Sequence, residues 1–148
     1  MDTTAAKQES NELYRPLSEQ IRQRLERNSL RKTVPAGSRL ICHGVAPAHL
    51  VIINTGSSEI SVPTLGKPRS LGVVGSGKVL GLHSVVSGLL PDVDVVCLQE
   101  CLVTLIPRQE FIGALEQYPE IYLAVARVLS SDLKMAYDLH RVSLRARH

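Results

Sequence analysis

The segment from Gly81 to Asp92, with the sequence GLHSVVSGLLPD, has the residue types and spacing that come closest to a chemical site. Glycine at position 81 follows a short β-type run, and residues 82–87 are compatible with a short helix. The N-terminus of a helix offers unpaired N–H groups and a positive dipole end to an anion. The backbone amides of such a helix could face an anion, but this feature alone does not define a site.

The chain shows no pattern for catalysis. An active site needs a nucleophile, a base and an orienting group in one pocket, and neither GxSxG nor HExxH occurs. The polar candidates are scattered: His43, His83, Asp92 and Asp94. Residues 75–78 (GSGK) depart from the phosphate-binding P-loop because Val79 stands where serine or threonine is required. We expect a binding or regulatory module and not an enzyme.

The cysteines Cys42, Cys97 and Cys101 are odd in number and lack repeated CxxC spacing. This pattern favours neither a disulfide scaffold nor a metal site, so reduced thiols packed as small apolar groups are expected. Redox chemistry between Cys97 and Cys101 stays an alternative, since both could lie near one hairpin turn. No cofactor is expected.

Length and composition predict one globular domain. The chain has 148 residues, of which 44% are hydrophobic and 3% aromatic, so the core should be aliphatic. A net charge of +3 is too small and dispersed to require a nucleic acid. The N-terminus has no basic-then-apolar segment, and no apolar run approaches the roughly 18 residues of a membrane span. We expect a cytoplasmic protein without a membrane partner.

The hydrophobic pattern predicts a mainly β fold with flanking helices. Residues 1–10 are polar and are expected to form a disordered tail, and 11–28 carry leucine and isoleucine every four residues, as in an amphipathic helix. Residues 30–107 contain brief apolar runs broken by Gly, Pro and Asn, which is strand composition. Leu50 to Ile53 should be buried on both faces. A long helix is predicted from about 120 to 148.

This order of elements resembles the cyclic-nucleotide-binding effector domain of Crp/Fnr-type bacterial transcription regulators. The resemblance is carried by residues 35–44 (PAGSRLICHG), 50–56 (LVIINTG), 77–81 (GKVLG) and 106–111 (IPRQEF). It implies a double-stranded β-helix, or jelly roll, with an N-terminal helix and a long C-terminal dimerisation helix. The sensor domain would span residues 11–148.

The resemblance also implies which residues should read a cyclic nucleotide. In that family a glutamate directly after the glycine at Gly81 binds the ribose hydroxyl, and an arginine about ten residues later grips the phosphate. Here Leu82 takes the first position, and Pro91 with Asp92 takes the second. Losing two charge-assisted contacts removes about 3–6 kcal/mol, so we expect no useful binding of cAMP or cGMP. The degenerate ligand pocket comprises Gly81, Leu82, His83, Ser84, Pro91 and Asp92.

His83 offers a less favoured reading of the same pocket. It lies at a place similar to the haem-binding histidine of carbon monoxide sensors in this superfamily, so a haem sensor is one alternative. Neighbouring ligands and an aromatic pocket are not evident. The effector therefore stays unidentified at this point.

The C-terminal helix carries a narrow apolar stripe with spacings of four and three. Because the helix is longer than the roll, its distal part needs another surface to pack against. The resemblance implies that this surface is a parallel homodimer seam. The stripe residues are Leu129, Leu133, Ala136, Leu139 and Ser143. DNA would be bound only through a helix-turn-helix absent from these residues. The leading hypothesis is thus the sensory, dimerising domain of a transcription regulator, and the alternative is a free-standing protein-interaction module.

Overall fold

The computed structural model describes residues 11–146, and for Ala136 and residues 139–146 it describes the backbone only. The predicted tail at 1–10 and the last two residues of the predicted C-terminal helix lie outside this range. The described part holds four helices, α1 (Glu19–Glu26), α2 (Leu82–Ser87), α3 (Arg108–Gln117) and α4 (Glu120–Ala146). Its eight strands are β1 (Leu30–Val34), β2 (Arg39–Ile41), β3 (His49–Thr55), β4 (Ser58–Val62), β5 (Arg69–Val74), β6 (Val79–Leu80), β7 (Asp94–Cys97) and β8 (Cys101–Pro107).

The strands form two four-stranded sheets that face each other as a jelly roll. Sheet A has the order β1-β8-β3-β6 and sheet B the order β2-β7-β4-β5, with antiparallel pairing between neighbours. The predicted fold class is confirmed. Two strands lacked a recognisable signal in the sequence, because β1 (LRKTV) mixes charges into an exposed sheet edge and β5 (RSLGVV) is mostly exposed.

Strand β3 is buried on both faces, as its unbroken apolar run predicted. Leu50 and Ile52 belong to a helix-side cluster, which fills the space between sheet A and the helices. Val51 and Ile53 point the other way into a roll-interior cluster. Because successive side chains of a strand alternate between faces, this single strand joins the two hydrophobic cores.

The N-terminal helix starts later than predicted, at Glu19 instead of residue 11. The buried side chain of Asn11 accepts hydrogen bonds from the N–H groups of Leu13 and Tyr14, both at 2.9 Å, and this stabilises a turn. Pro16 brings no N–H donor, and the side chain of Ser18 caps the new helix by accepting from the Ile21 N–H. The apolar residues at every fourth position therefore lie in a turn that is followed by a shorter helix.

The long helix α4 packs its first half against the roll. Ile121, Ala124, Val125 and Val128 are buried in the helix-side cluster. Of the predicted stripe, Leu129 packs partly against this cluster and Leu133 is 72% exposed. The side chains of Ala136, Leu139 and Ser143 lie outside the described residues. Among helices of the described chain, none combines the length and apolarity that a bilayer crossing requires.

Candidate ligand-binding site

A short helix between two glycines forms the floor of the candidate site. Gly81 caps the start of α2 with φ of 89°, and Gly88 caps its end with φ of 78°. Both lie in the left-handed region, where glycine has no steric penalty. The Gly88 N–H donates to the Ser84 carbonyl at 2.9 Å and ends the helix. The predicted short helix at 82–87 is confirmed.

A cavity of about 340 Å³ lies between sheet B, α2 and α4. Its lining is mainly aliphatic, with Ile41, Ile60, Leu71, Val74, Val95 and Met135 as typical members. Polar groups are contributed by Lys78, His83, Ser84, Asp92 and Asp132. Such a volume falls within the range of small-molecule sites, and an aliphatic wall favours an apolar occupant.

All of the predicted pocket residues, Gly81, Leu82, His83, Ser84, Pro91 and Asp92, line this cavity. Leu82 is buried at 2% exposure and belongs to the helix-side cluster, and Ser84 is buried too. His83 and Asp92 are exposed, and Pro91 is half-buried. The structure thus places them together. Their role in binding a ligand, and haem ligation by His83, stay predictions.

Sequence reasoning did not place Lys78, Asp132 or Met135 in the cavity lining. The Lys78 ammonium donates a hydrogen bond to Asp132 on α4 and lies 3.5 Å from a carboxylate oxygen of Glu12. Glu12 also accepts from the Val79 N–H at 2.8 Å. No spacing pattern relates these positions, so only the fold reveals the contact. This Glu12–Lys78–Asp132 bridge joins the N-terminal turn, the roll and the long helix.

Behind the cavity wall, Asp94 begins β7 and faces the loop that follows β2. The His43 N–H donates to its carboxylate at 2.9 Å, and this hydrogen bond is the main reason that the pKa of the Asp94 carboxyl lies below its usual value. Asp94 is therefore a carboxylate at neutral pH. The negative charge of Asp94, like that of the exposed Asp92, stands near a place where the family pattern has an arginine.

Cys97 and Cys101 lie on either side of one short connection, and this connection is not a hairpin because β7 and β8 do not pair. Cys97 ends β7 in sheet B, whereas Cys101 begins β8 in sheet A, so residues 98–100 cross from one sheet to the other. Both thiols are buried in the roll-interior cluster, and burial raises the pKa of the Cys97 thiol. This location fits packed apolar groups, as predicted. Redox chemistry between them stays an untested alternative.

A model of the protein family described as cyclic nucleotide-binding domain matches residues 31–118. No protein among those with curated functions matches the sequence. Solved structures that resemble the fold include the catabolite activator protein of Thermus thermophilus, with a TM-score of 0.76 and 19% identity. That match covers 91% of this chain and 63% of the Thermus protein, so the chain spans less than two thirds of that protein.

Two further structures have the same fold. The sensor domain of the transcriptional regulator DNR from Pseudomonas aeruginosa gives a TM-score of 0.72 at 17% identity, covering 93% of this chain and 95% of that domain. The regulatory domain of Toxoplasma gondii PKA, solved with cAMP, gives 0.67 at 21% identity, covering 74% of this chain and 44% of that one. At such identities the likeness concerns the fold alone.

Proposed function

The chain belongs to the cyclic nucleotide-binding domain family, and from this premise we propose that it is a sensor domain whose cavity takes an apolar small molecule in place of a cyclic nucleotide. The observation that carries the proposal is Leu82, a buried aliphatic residue where the family pattern has a glutamate. The family and its fold are those of regulatory, non-catalytic domains. The likeness in fold to the sensor domain of the regulator DNR supports the regulatory role.

Electrostatics of the cavity oppose a cyclic phosphate. Among the described residues that line it, Lys78 is the one lysine or arginine, and its charge is already compensated by Glu12 and Asp132. Asp92 adds a negative charge at the rim. A phosphate would thus be desolvated without a bidentate cation to compensate, and such a contact is worth about 1.5–3 kcal/mol when present.

Burial of apolar surface is the favourable term that remains. A ligand that buried about 200 Å² of its surface on these aliphatic walls would gain roughly 5 kcal/mol. His83 and Ser84 could then orient a single polar group of the ligand by hydrogen bonding. We therefore expect a small, largely apolar and uncharged effector.

The cavity lining gives a route from ligand to output. Met135 and Asp132 on α4 line the cavity together with the start of α2, so an occupant would touch both helices. A ligand that displaced Asp132 from Lys78 would release one end of the bridge between the roll and α4. Such a ligand shifts the equilibrium only by the difference in its affinity for the two arrangements.

The long helix supports dimerisation as part of the same proposal. Tyr122, Ala126, Leu129 and Leu133 follow spacings of four, three and four, which places them on one face of α4. Tyr122, Ala126 and Leu133 are exposed in the single chain, and Leu129 is half-buried. We propose that a second copy covers this face, continuing toward the predicted positions Ala136, Leu139 and Ser143.

Ligand choice is tested by binding measurements on wild type and two matched variants. The probes are cAMP by calorimetry and N-phenyl-1-naphthylamine, a neutral apolar dye, by fluorescence. We expect dye binding by wild type and by the control Leu65→Trp, which changes a fully exposed loop residue. Leu71→Trp, which fills the cavity, should abolish it. Low-micromolar cAMP binding, or equal dye binding by both variants, would contradict the proposal.

Dimerisation is tested separately by light scattering after gel filtration. We expect wild type to be a dimer and Leu133→Glu to be a monomer. Leu123→Glu serves as the control because Leu123 is also exposed, at 61%, but lies off the stripe. A monomeric wild type, or a Leu133→Glu variant that stays dimeric, would overturn this part.

A further inference from the structure

Three side chains of different chemistry meet beside the cavity wall, at the end of β2 and the start of β7. They are Cys42, His43 and Asp94, and their sulfur, nitrogen and oxygen atoms all lie within 4.8 Å of one another. The His43 Nδ1 is 3.4 Å from Asp94 Oδ2. We propose that this cluster binds one divalent zinc ion and leaves a fourth position open to water or a ligand.

The ligand set suits zinc better than other common ions. Zinc accepts thiolate, imidazole and carboxylate ligands in tetrahedral sites, whereas magnesium and calcium prefer oxygen. Atoms that share one zinc ion at about 2.0–2.3 Å lie roughly 3.3–3.8 Å apart. The 4.8 Å limit of this cluster therefore requires the ligand atoms to approach one another by about 1.5 Å or less.

The backbone already holds the ligands in place. The His43 N–H donates to Asp94 Oδ1 at 2.9 Å, which orients the carboxylate and leaves Oδ2 toward the imidazole. The Gly44 N–H donates to the Pro91 carbonyl at 2.9 Å, and Ile41 pairs with Val95 across the two strands. Because both strands and both loops are tied together, the ligands are organised before the ion arrives.

The Arg39 guanidinium lies beside two of the three proposed zinc ligands, Cys42 and Asp94. It is 3.7 Å from the Cys42 sulfur and 3.9 Å from Asp94 Oδ1. The Asp94 side chain is only 14% exposed, so its carboxylate needs a nearby positive charge. The Arg39 side chain is 55% exposed and can turn into solvent. We therefore expect Arg39 to compete with zinc for the same two ligands.

Zinc at this cluster would stiffen one wall of the cavity. Ile41 and Val93, the residues that precede Cys42 and Asp94 in the chain, both line the cavity. Zinc binding here does not depend on the proposed apolar ligand, because Cys42, His43 and Asp94 are not part of the cavity lining. A negative result in the metal titration would therefore not contradict the proposed apolar ligand, and a negative dye-binding result would not contradict the zinc site.

The test is a titration of the tag-free chain with Co²⁺, which substitutes for zinc and reports thiolate ligation by a charge-transfer absorption. We expect one equivalent to bind to wild type with this band and with the strong visible bands of a tetrahedral ion. Zinc should displace the cobalt and should slow alkylation of Cys42 by iodoacetamide. Absence of the charge-transfer band, or alkylation unaffected by zinc, would overturn the proposal.

Matched variants separate ligation from a general effect on folding. Cys42→Ser, His43→Ala and Asp94→Asn should each weaken cobalt binding by tenfold or more. The controls Glu116→Gln and Asp138→Asn change exposed carboxylates on α3 and α4, outside both the cluster and the cavity lining, and should leave binding unchanged. Arg39→Gln should strengthen binding, an effect that damage to the fold cannot produce. Equal losses in ligand and control variants, or weaker binding by Arg39→Gln, would contradict the assignment.

Discussion

The space between sheet A and the helices is filled more completely by side chains than the space along sheet B. Behind sheet A, the helix-side cluster is filled by large side chains that are fully buried, among them Phe111, Leu13, Leu25, Leu50 and Ile121. Along sheet B, the wall is aliphatic as well, yet a cavity of about 340 Å³ remains. The packed side holds the fold together, whereas the open side leaves room for a ligand. The same residue types therefore fill the core in one region and line an open cavity in the other.

The largest effect expected from this comparison is on the packed side. Phe111→Ala removes a ring with no exposed surface, and such a truncation costs about 3–5 kcal/mol. Denaturant unfolding measures this free energy. The control is Leu98→Ala, which truncates a half-exposed side chain and should change stability by no more than about 0.5 kcal/mol. A similar loss in both variants would mean that the helix side is not the stabilising region.

Substitutions at two glycines test how closely the backbone segments of the roll pack against each other. Gly56 has φ of 103°, and a Cβ there would lie 2.6 Å from the Cys101 sulfur and 2.8 Å from the Glu100 carbonyl oxygen. Gly37 has φ of 86° with open space around it. Gly37→Ala should cost about 1–2 kcal/mol from the backbone alone, and Gly56→Ala should cost more because of the added clash. Thermal unfolding compares the stability of the two variants. Equal losses of stability would show that the atoms around Gly56 can move to accommodate a Cβ.

A smaller change is expected where the packing is open. Leu71→Trp adds volume toward the cavity, so the overpacking penalty of about 1–3 kcal/mol in a filled core should fall below about 1 kcal/mol. The free energy of unfolding by urea checks this. A loss as large as that of Phe111→Ala would show that the cavity side is as tightly packed as the helix side.

The smallest effect concerns reactivity and leaves stability unchanged. Cys42 is partly exposed, while Cys97 and Cys101 are buried, and burial keeps the pKa of Cys97 above its ordinary value. In the native protein one thiol should therefore react quickly with Ellman's reagent, and all three should react after denaturation. Native Cys42→Ser should show no fast reaction. Rapid modification of two or three thiols in the folded protein would contradict the packed interior.

Much of the fold followed from local patterns. The unbroken apolar run at 50–53 predicted a strand with two buried faces, and glycines at 81 and 88 marked the ends of α2. Errors arose where two structures satisfy one pattern. The leucines from Leu13 onward fit a helix and also a turn with a shorter helix, and the choice depended on Asn11 and Ser18 as caps.

The candidate site was predictable only where its residues are neighbours in the chain. Residues 81–84 and 91–92 lie within the single segment from Gly81 to Asp92, and all of them line the cavity. Lys78 and Asp132 come from a strand turn and the long helix, and their meeting depends on how α4 packs on the roll. The Cys42–His43–Asp94 cluster was equally hidden, since pairing of β2 with β7 brings its parts together. Long-range pairing leaves no spacing signature in the sequence.

The pairing of β1 with β8 has a consequence for how the chain folds. Leu30 lies opposite Leu105, so the first strand of the roll pairs with the last. Contacts between such distant positions form slowly, because the intervening chain must lose entropy before the pairing contributes. During synthesis β1 therefore leaves the ribosome long before β8 and stays unpaired until β8 has been made. Its charged residues Arg31 and Lys32 discourage pairing with a neighbouring nascent chain during that interval.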